Sequence, residues 1–128
     1  MILCDTNILI EFYKGNTETT LTLKKIGQNN IAVSVITKAE LLYGARDRQE
    51  LDRINRHLEQ CRCYHVTSDI SELFIKLMRD YAPSHKPSIP DLLIAATAIT
   101  HDLIVYTLNS KDFRFIDGVR LYSESKSD

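Results

Sequence analysis

The chain has 128 residues, of which 44% are hydrophobic and 26% charged, and its 16 Lys and Arg against 17 Asp and Glu give a formal net charge of −1. This length suits one domain, and the balance of residue types is ordinary for a soluble globular protein. The near-zero net charge argues against a protein that coats nucleic acid by bulk charge, but it leaves room for an enzyme that meets nucleic acid through a local patch.

The three cysteines and the N-terminus bear on where the protein works. Cys4, Cys61 and Cys63 are too few for a disulfide framework and do not have the spacing of a zinc knuckle. We therefore expect reduced thiols in a cytosol. The N-terminal run MILCDTN does not resemble a secretory signal, and no apolar run approaches the roughly 20 residues of a membrane helix. These features predict a cytoplasmic protein without a membrane segment.

Three short apolar runs in the first half of the chain predict strands, each followed by helical sequence. The strands are expected at residues 2–4, 31–35 and 63–66. Asp5, Thr6 and Asn7 are good N-cap types, and they open a helix that continues through Tyr13 and stops at Gly15. Further helices are expected at residues 19–26, 37–44 and 47–60.

The second half of the chain predicts two longer helices and two more strands. Apolar residues at helical spacing indicate an amphipathic helix over residues 69–81. The segment 83–90 holds all three prolines and is expected to be a loop, after which Asp91 opens a largely apolar helix. Strands are expected at residues 103–107 and 119–122, and the loop between them has room for one helical turn.

The alternation of strands and helices predicts parallel pairing and an α/β sandwich. Short strands that are apolar throughout suit a sheet that is covered on both faces. We expect about five strands in a single domain over residues 1–123, followed by a polar tail at residues 124–128.

Acidic and amide side chains recur where the predicted strands end. Asp5 ends the first strand, Glu40 lies in the first turn of the helix after the second, and Asn109 and Asp112 follow the fourth. Ligands of open α/β sheets bind at this edge. Asp91 joins the others only if its helix points its N-terminus there.

Carboxylates gathered at one edge repel each other and resist burial. Hard cations such as Mg²⁺ and Mn²⁺ take oxygen ligands and offset that repulsion. Two such ions could orient a water molecule and stabilise the leaving oxygen of a phosphodiester. The pattern therefore predicts a metal site suited to phosphodiester hydrolysis.

Each acid taken by itself also has a purely structural explanation. Thr37 and Glu40 match a capping box, and Ser88 and Asp91 have the same spacing. Asp5 could be a simple N-cap. Capping does not explain why the acids recur at one edge of the predicted sheet.

Four blocks of the sequence, taken together, resemble the PIN-domain ribonucleases, and specifically the VapC-type toxins of toxin–antitoxin pairs. In chain order the blocks are ILCDTNILI at 2–10, SVITKAELLYG at 34–44, IPDLLIAA at 89–96 and TLNSKDF at 107–113. Any one block is weak, whereas four in the right order at the right separations are specific. The resemblance covers nearly the whole chain.

The resemblance implies a three-layer α/β/α domain that hydrolyses RNA with Mg²⁺ or Mn²⁺. Asp5, Glu40 and Asp91 match the acidic metal-binding core of the family. The family often has an acid at the position of Asn109, so Asn109 and Asp112 are alternatives for the fourth ligand. The implied partners are an RNA substrate, a cognate antitoxin and a second copy of the chain in a homodimer. The side chains expected to hold the acids in place are Thr6, Asn7 and Thr107.

Two other functions stay open from the sequence. An aspartyl-phosphate phosphotransferase also places an Asp after its first strand, but it would need a second Asp where this chain has Asn7, with Lys111 as its phosphate-binding lysine. A binding module could keep the fold without turnover. His85 and Lys86, in the predicted proline-containing loop, are candidates for a contact with RNA or antitoxin.

Overall fold

A computed structural model describes residues 1–123, and the predicted tail at residues 124–128 lies outside the described residues. Five strands form one sheet in the order β3-β2-β1-β4-β5, and every neighbouring pair is parallel. The strands are β1 (Ile2–Cys4), β2 (Ile31–Ser34), β3 (Arg62–Tyr64), β4 (Ile104–Tyr106) and β5 (Arg120–Leu121). The predicted parallel sheet of about five strands is confirmed.

Within residues 1–123, two α-helices follow each of the first three strands. They are α1 (Thr6–Tyr13), α2 (Thr17–Ile26), α3 (Val35–Tyr43), α4 (Arg48–Leu58), α5 (Ser68–His85) and α6 (Ile89–His101). Short 3-10 turns lie at Gln28–Asn30 and Ser110–Asp112. The second turn is the one that the loop after the fourth strand was expected to contain.

Successive strand residues point to opposite faces of the sheet, and each face has its own core. Leu3 and Ala32 pack on one face with apolar side chains of α5 and α6. Cys4 and Val33 pack on the other face with side chains of α1, α2, α3 and α4. The sheet is thus covered on both sides, which confirms the three-layer α/β/α arrangement.

Side-chain caps set where each of the six α-helices named above begins. Each capping oxygen accepts a hydrogen bond from a backbone N–H of the first turn, which would otherwise lack a partner. These N-caps are Asp5, Asn16, Ser34, Asp47, Thr67 and Ser88. Residues 1–123 contain no helix with the length and apolar character needed to cross a membrane.

The prediction of a loop over the whole of residues 83–90 is wrong. Helix α5 continues to His85 and α6 begins at Ile89, so that only three residues separate them. Pro83 lies in the last turn of α5, where its missing N–H removes one hydrogen bond at the end of that helix. Pro90 lies in the first turn of α6, where a backbone N–H would have no partner within the helix in any case.

Several predicted boundaries also move by a few residues. Helix α2 begins at Thr17 rather than 19, because Asn16 caps it, and β3 ends at Tyr64 rather than 66. Helix α3 begins at Val35 with Ser34 as its cap, so Thr37 does not cap it and Glu40 lies in the second turn. The capping-box interpretation of Thr37 and Glu40 is therefore wrong.

Candidate active site

Asp5 stands at the carboxyl end of the central strand β1 and is buried, with 6% of its surface exposed. Its Oδ1 accepts a hydrogen bond of 2.7 Å from the backbone N–H of Thr6, and its Oδ2 accepts one of 2.8 Å from the Thr107 hydroxyl. Both carboxylate oxygens are thus oriented by groups from different segments of the chain. Burial nevertheless raises the pKa of Asp5 above its usual value, against the opposing effect of these two hydrogen bonds.

Glu40 reaches the same edge from α3. The Thr6 hydroxyl donates a hydrogen bond of 2.7 Å to Glu40 Oε1. The hydroxyl oxygens of Thr6 and Thr37 are also hydrogen-bonded at 3.0 Å, and Thr37 is fully buried. Thr6 therefore links the residue after β1 to the helix after β2.

Asp91 lies in the first turn of α6, where the Ser88 hydroxyl oxygen accepts a hydrogen bond of 3.1 Å from its backbone N–H. The side chain is half-buried. Burial, followed by the charge of Asp5, raises the pKa of Asp91 from 3.8 to about 6, with smaller contributions from Asp112 and Glu40. The contribution of Asp5 indicates that the first turn of α6 lies near the carboxyl end of β1.

The segment after β4 completes this edge of the sheet. Asn7 Oδ1 accepts a hydrogen bond of 3.3 Å from the backbone N–H of Leu108, and Thr107 Oγ1 accepts one of 3.0 Å from that of Asn109. The backbone N–H of Asp112 donates to the Asn109 carbonyl at 3.0 Å, which closes the 3-10 turn. Asn109 is exposed and Asp112 half-buried.

Asp5 and Asp91 lie within electrostatic reach of the other acids at this edge. The negative charges of Glu40 and Asp112 raise the pKa of Asp5, and those of Asp5, Asp112 and Glu40 raise the pKa of Asp91. These acids come from segments separated by as many as 107 residues in sequence, yet they act on one another across a single sheet edge. We refer to Asp5, Glu40, Asp91 and Asp112 as the carboxylate edge.

The carboxylate edge fits a divalent cation by its donor chemistry. All of its groups are oxygen donors, which hard cations such as Mg²⁺ prefer, and their mutual repulsion is a cost that such a cation removes. Within residues 1–123, no three Asp, Glu, His or Cys side chains are arranged closely enough to hold an ion as they stand. Ligation would therefore draw these carboxylates closer together.

Sequence reasoning missed two residues of this arrangement. It considered Thr37 only as part of a possible capping box, although the Thr37 hydroxyl contacts Thr6 across the site. It gave Phe115 no role, although this half-buried ring follows Asp112 by three residues and meets His85. A threonine three residues before Glu40 was the available signal for the first, whereas nothing in the local pattern indicates the second.

A cleft of about 790 Å³ opens beside Glu40, between α1, α3 and α4. Apolar side chains such as Phe12 form part of its lining, and charged side chains such as Arg53 form another part. Arg46 donates two side-chain hydrogen bonds to Glu50, of 3.0 and 2.7 Å, at its rim. The cleft therefore offers both an apolar floor and fixed charges next to the carboxylate edge.

Comparison with known proteins gives consistent relatives along almost the whole chain. The profile of the PIN domain family matches residues 2–119. Ribonuclease VapC1 of Rickettsia felis is 33% identical over 99% of this chain and 98% of its own length, and Ribonuclease VapC19 of Mycobacterium tuberculosis is 34% identical over 88% and 92%.

The solved structures agree with these sequence relatives. A toxin-antitoxin complex from Klebsiella pneumoniae superposes with a TM-score of 0.81 at 34% identity, over 93% of this chain and 95% of that one. VapBC2 from Rickettsia felis bound to a DNA fragment from its promoter gives a TM-score of 0.81 at 27% identity, over 95% and 98%.

Proposed function

Because the chain belongs to the PIN domain family, we propose that it is an endoribonuclease that hydrolyses RNA phosphodiester bonds with a divalent cation, as the toxin of a toxin–antitoxin pair. The observation that carries the proposal is the convergence of acids from separate segments at one edge of the sheet. Thr6, which follows Asp5 directly, donates a hydrogen bond of 2.7 Å to Glu40. The charges of Glu40 and Asp112 raise the pKa of both Asp5 and Asp91. Relatives that are named ribonucleases and solved as toxin-antitoxin complexes support it.

We propose that Asp5, Glu40 and Asp91 hold the cation, which is Mg²⁺ or Mn²⁺, and that Asp112 or Asn109 completes its ligands. When bound, such a cation would offset the charge of the acids, so that a phosphate could approach, and would supply an activated water molecule for attack on phosphorus. The chain itself supplies position. Thr107 and the backbone N–H of Thr6 hold the two oxygens of Asp5, and the Thr6 hydroxyl holds Glu40.

The cleft beside Glu40 is the proposed place for the antitoxin. Its apolar lining suits the apolar face of a partner segment, and Arg46, Glu50 and Arg53 offer charges for its polar side. A partner bound there would lie next to the carboxylate edge and block access of RNA. We further propose that the chain forms a homodimer, to be tested by light scattering, and that it works in the cytoplasm, where its three free cysteines would stay reduced.

The decisive experiment is RNA cleavage by the purified protein with and without Mg²⁺ or Mn²⁺. We expect cleavage that depends on the cation and that Asp5→Asn abolishes. Asp80→Asn is the matched control, because Asp80 is an exposed carboxylate that pairs with Lys76 on the outer surface of α5. Cleavage that persists in EDTA or in Asp5→Asn would contradict the proposal.

The same experiment separates the two alternatives. Cation binding without cleavage of any RNA would favour a binding module with the PIN fold. Transfer of label from a phosphoryl donor to Asp5 would favour a phosphotransferase. The structure gives that alternative no support, because the side-chain oxygen of Asn7 accepts a hydrogen bond from the Leu108 backbone N–H.

A further inference from the structure

An aromatic stack lies at the C-terminal end of α5. The His85 ring lies parallel to that of Phe115, with 4.1 Å between centroids and 8° between planes. Tyr81 meets Phe115 edge-on at 5.2 Å and 72°, and its phenol oxygen accepts a hydrogen bond of 3.1 Å from the backbone N–H of Asp117. Phe115 is thus held in place beneath the imidazole.

The outer side of this stack is open. His85 is exposed, and because Phe115 covers one face of its ring, the opposite face is available to solvent. Its Nδ1 is hydrogen-bonded to the Ser84 hydroxyl at 2.8 Å, which fixes the orientation of the ring. A flat, oriented aromatic face in solvent is a surface on which a nucleobase can stack.

Both rings of the stack are only a few residues along the chain from the carboxylate edge. His85 precedes Ser88, the cap of the helix that carries Asp91, by three residues, which limits their Cα atoms to roughly 11 Å apart. Phe115 follows Asp112 by three residues in the segment after β4. A single strand of RNA that reaches the carboxylate edge can therefore place a neighbouring base on His85.

Two cations without an ion pair in the described part of the chain are the sequence neighbours of the stacked rings. Lys86 and Arg114 are exposed neighbours of His85 and Phe115, and the ion pairs found within residues 1–123 include neither of them. Three arginines in or just before α4 differ, because Glu50 or Asp52 pairs with each of them; they are Arg46, Arg48 and Arg53. Lys86 and Arg114 are therefore available to phosphates beside the stack.

We propose that His85, supported by Phe115, is the stacking platform for a base of single-stranded RNA next to the scissile phosphate, with Lys86 and Arg114 meeting the backbone. The inference rests on the proposed ribonuclease function and deepens it by naming how the substrate is held. It predicts that the enzyme prefers single-stranded RNA, because a base inside a duplex cannot be splayed onto the ring.

The test is the affinity of the protein for a short fluorescein-labelled single-stranded RNA of random sequence, measured by anisotropy in Mg²⁺ with Asp5→Asn present to prevent cleavage. We expect His85→Ala to weaken binding by about 5- to 100-fold, the usual effect of losing one base–aromatic contact. His85→Phe keeps a flat ring, so in the same background it should bind RNA within about threefold of the protein that carries Asp5→Asn alone. In proteins with Asp5 intact, His85→Ala should raise KM more than it lowers kcat.

His101→Ala is the matched control. His101 is also an exposed histidine against an aromatic ring, with 4.5 Å between its centroid and that of Tyr64. It lies at the C-terminal end of α6, about 15 Å along the helix axis from Asp91, whereas His85 lies next to the N-terminal end that carries Asp91. Its replacement should leave RNA affinity unchanged.

Lys86 offers a second test that a folding defect cannot mimic. It has a left-handed backbone conformation, with φ of 46°, which glycine adopts without strain. Lys86→Gly should therefore keep or raise the melting temperature while it weakens RNA binding and reduces the salt dependence of that binding.

The possible outcomes separate the two proposals. Binding and cleavage of single-stranded RNA that are unchanged by His85→Ala would overturn the platform and leave the ribonuclease intact. Unchanged RNA affinity together with a weakened complex with the cognate antitoxin would overturn it in favour of a protein contact. Failure of the unsubstituted protein to bind or cleave any RNA would overturn both proposals.

Discussion

The hydroxyl of Thr6 donates a hydrogen bond of 2.7 Å to Oε1 of Glu40, 34 residues away. The same oxygen of Thr6 is hydrogen-bonded to the Thr37 hydroxyl at 3.0 Å. One small side chain at the start of α1 therefore determines where a carboxylate of α3 points. This relationship makes Thr6 a positioning residue, which the first prediction tests.

Thr6→Val should lower activity while the fold remains. The substitution keeps the shape of the side chain but removes the donor to Glu40, at a cost of about 1 kcal/mol in the free energy of unfolding. We expect cleavage to fall by about 10- to 100-fold, as is usual when a group that orients a metal ligand is lost. Rates of RNA cleavage and urea unfolding curves measure the two effects.

Thr6→Ser is the control for this prediction, because it keeps the hydroxyl and should retain most of the activity. A Thr6→Val enzyme as active as the unsubstituted protein would show that Glu40 does not need this hydrogen bond.

Thr107→Val should move the pH dependence of the enzyme. The Thr107 hydroxyl donates to Asp5 Oδ2 and is the strongest of the contacts that lower the pKa of this buried carboxyl. Its loss raises the pKa of Asp5 further. Because the ionised carboxylate is the form that binds a cation, the acid limb of the cleavage profile should shift to higher pH. A profile that stays in place, or one that shifts equally in Thr107→Ser, would contradict this assignment.

Asp91 should make the cation-free protein less stable as pH rises. Its pKa is about 6 in the folded protein against 3.8 ordinarily, so the folded state binds the proton more tightly. The stabilisation by this proton is complete below about pH 4 and is lost as pH rises through about 6. With solvent screening of a half-buried group, the loss is about 1–2 kcal/mol.

This prediction is checked by denaturant unfolding in EDTA between about pH 4 and pH 7, the window in which the group titrates. Asp91→Asn should remove the part of the pH slope that Asp91 causes and leave the protein more stable at neutral pH. Addition of Mg²⁺ or Mn²⁺ should stabilise the unsubstituted protein at neutral pH but have little effect on this variant. An unchanged slope in Asp91→Asn would mean that another group titrates in this range.

Paired substitutions can show whether Asp112 or Asn109 is the fourth ligand of the cation. The charge of Asp112 acts on both Asp5 and Asp91, whereas Asn109 is exposed and contributes its backbone to the 3-10 turn. We expect Asp112→Asn to weaken Mn²⁺ binding and cleavage by about 100-fold or more, and Asn109→Ala by less than about tenfold. Isothermal titration with Mn²⁺ and cleavage rates measure both; the reverse ranking would identify Asn109 as the ligand.

The architecture could be predicted well from local patterns. The strands β1, β2 and β4 are short apolar or buried runs whose pattern differs from that of the helices, so the alternation indicates a parallel sheet with two covered faces. Boundaries were less predictable, because side-chain caps such as Ser34 decide them. The three prolines of residues 83–90 indicated a loop, but two of them lie inside helices near their ends, where the lost hydrogen bond costs little.

The sequence by itself determined that acidic side chains follow the strands. Asp5 comes directly after β1 and Asp112 lies in the segment after β4, so both belong to the carboxyl edge of a parallel sheet that contains these strands. Only the tertiary structure decided that Glu40 is held by Thr6 rather than by Thr37, that α6 turns Asp91 toward Asp5, and that His85 lies on Phe115. The physical reason is range. Strand ends and helix caps depend on neighbours a few residues away, whereas these three contacts depend on how separate helices pack against one sheet.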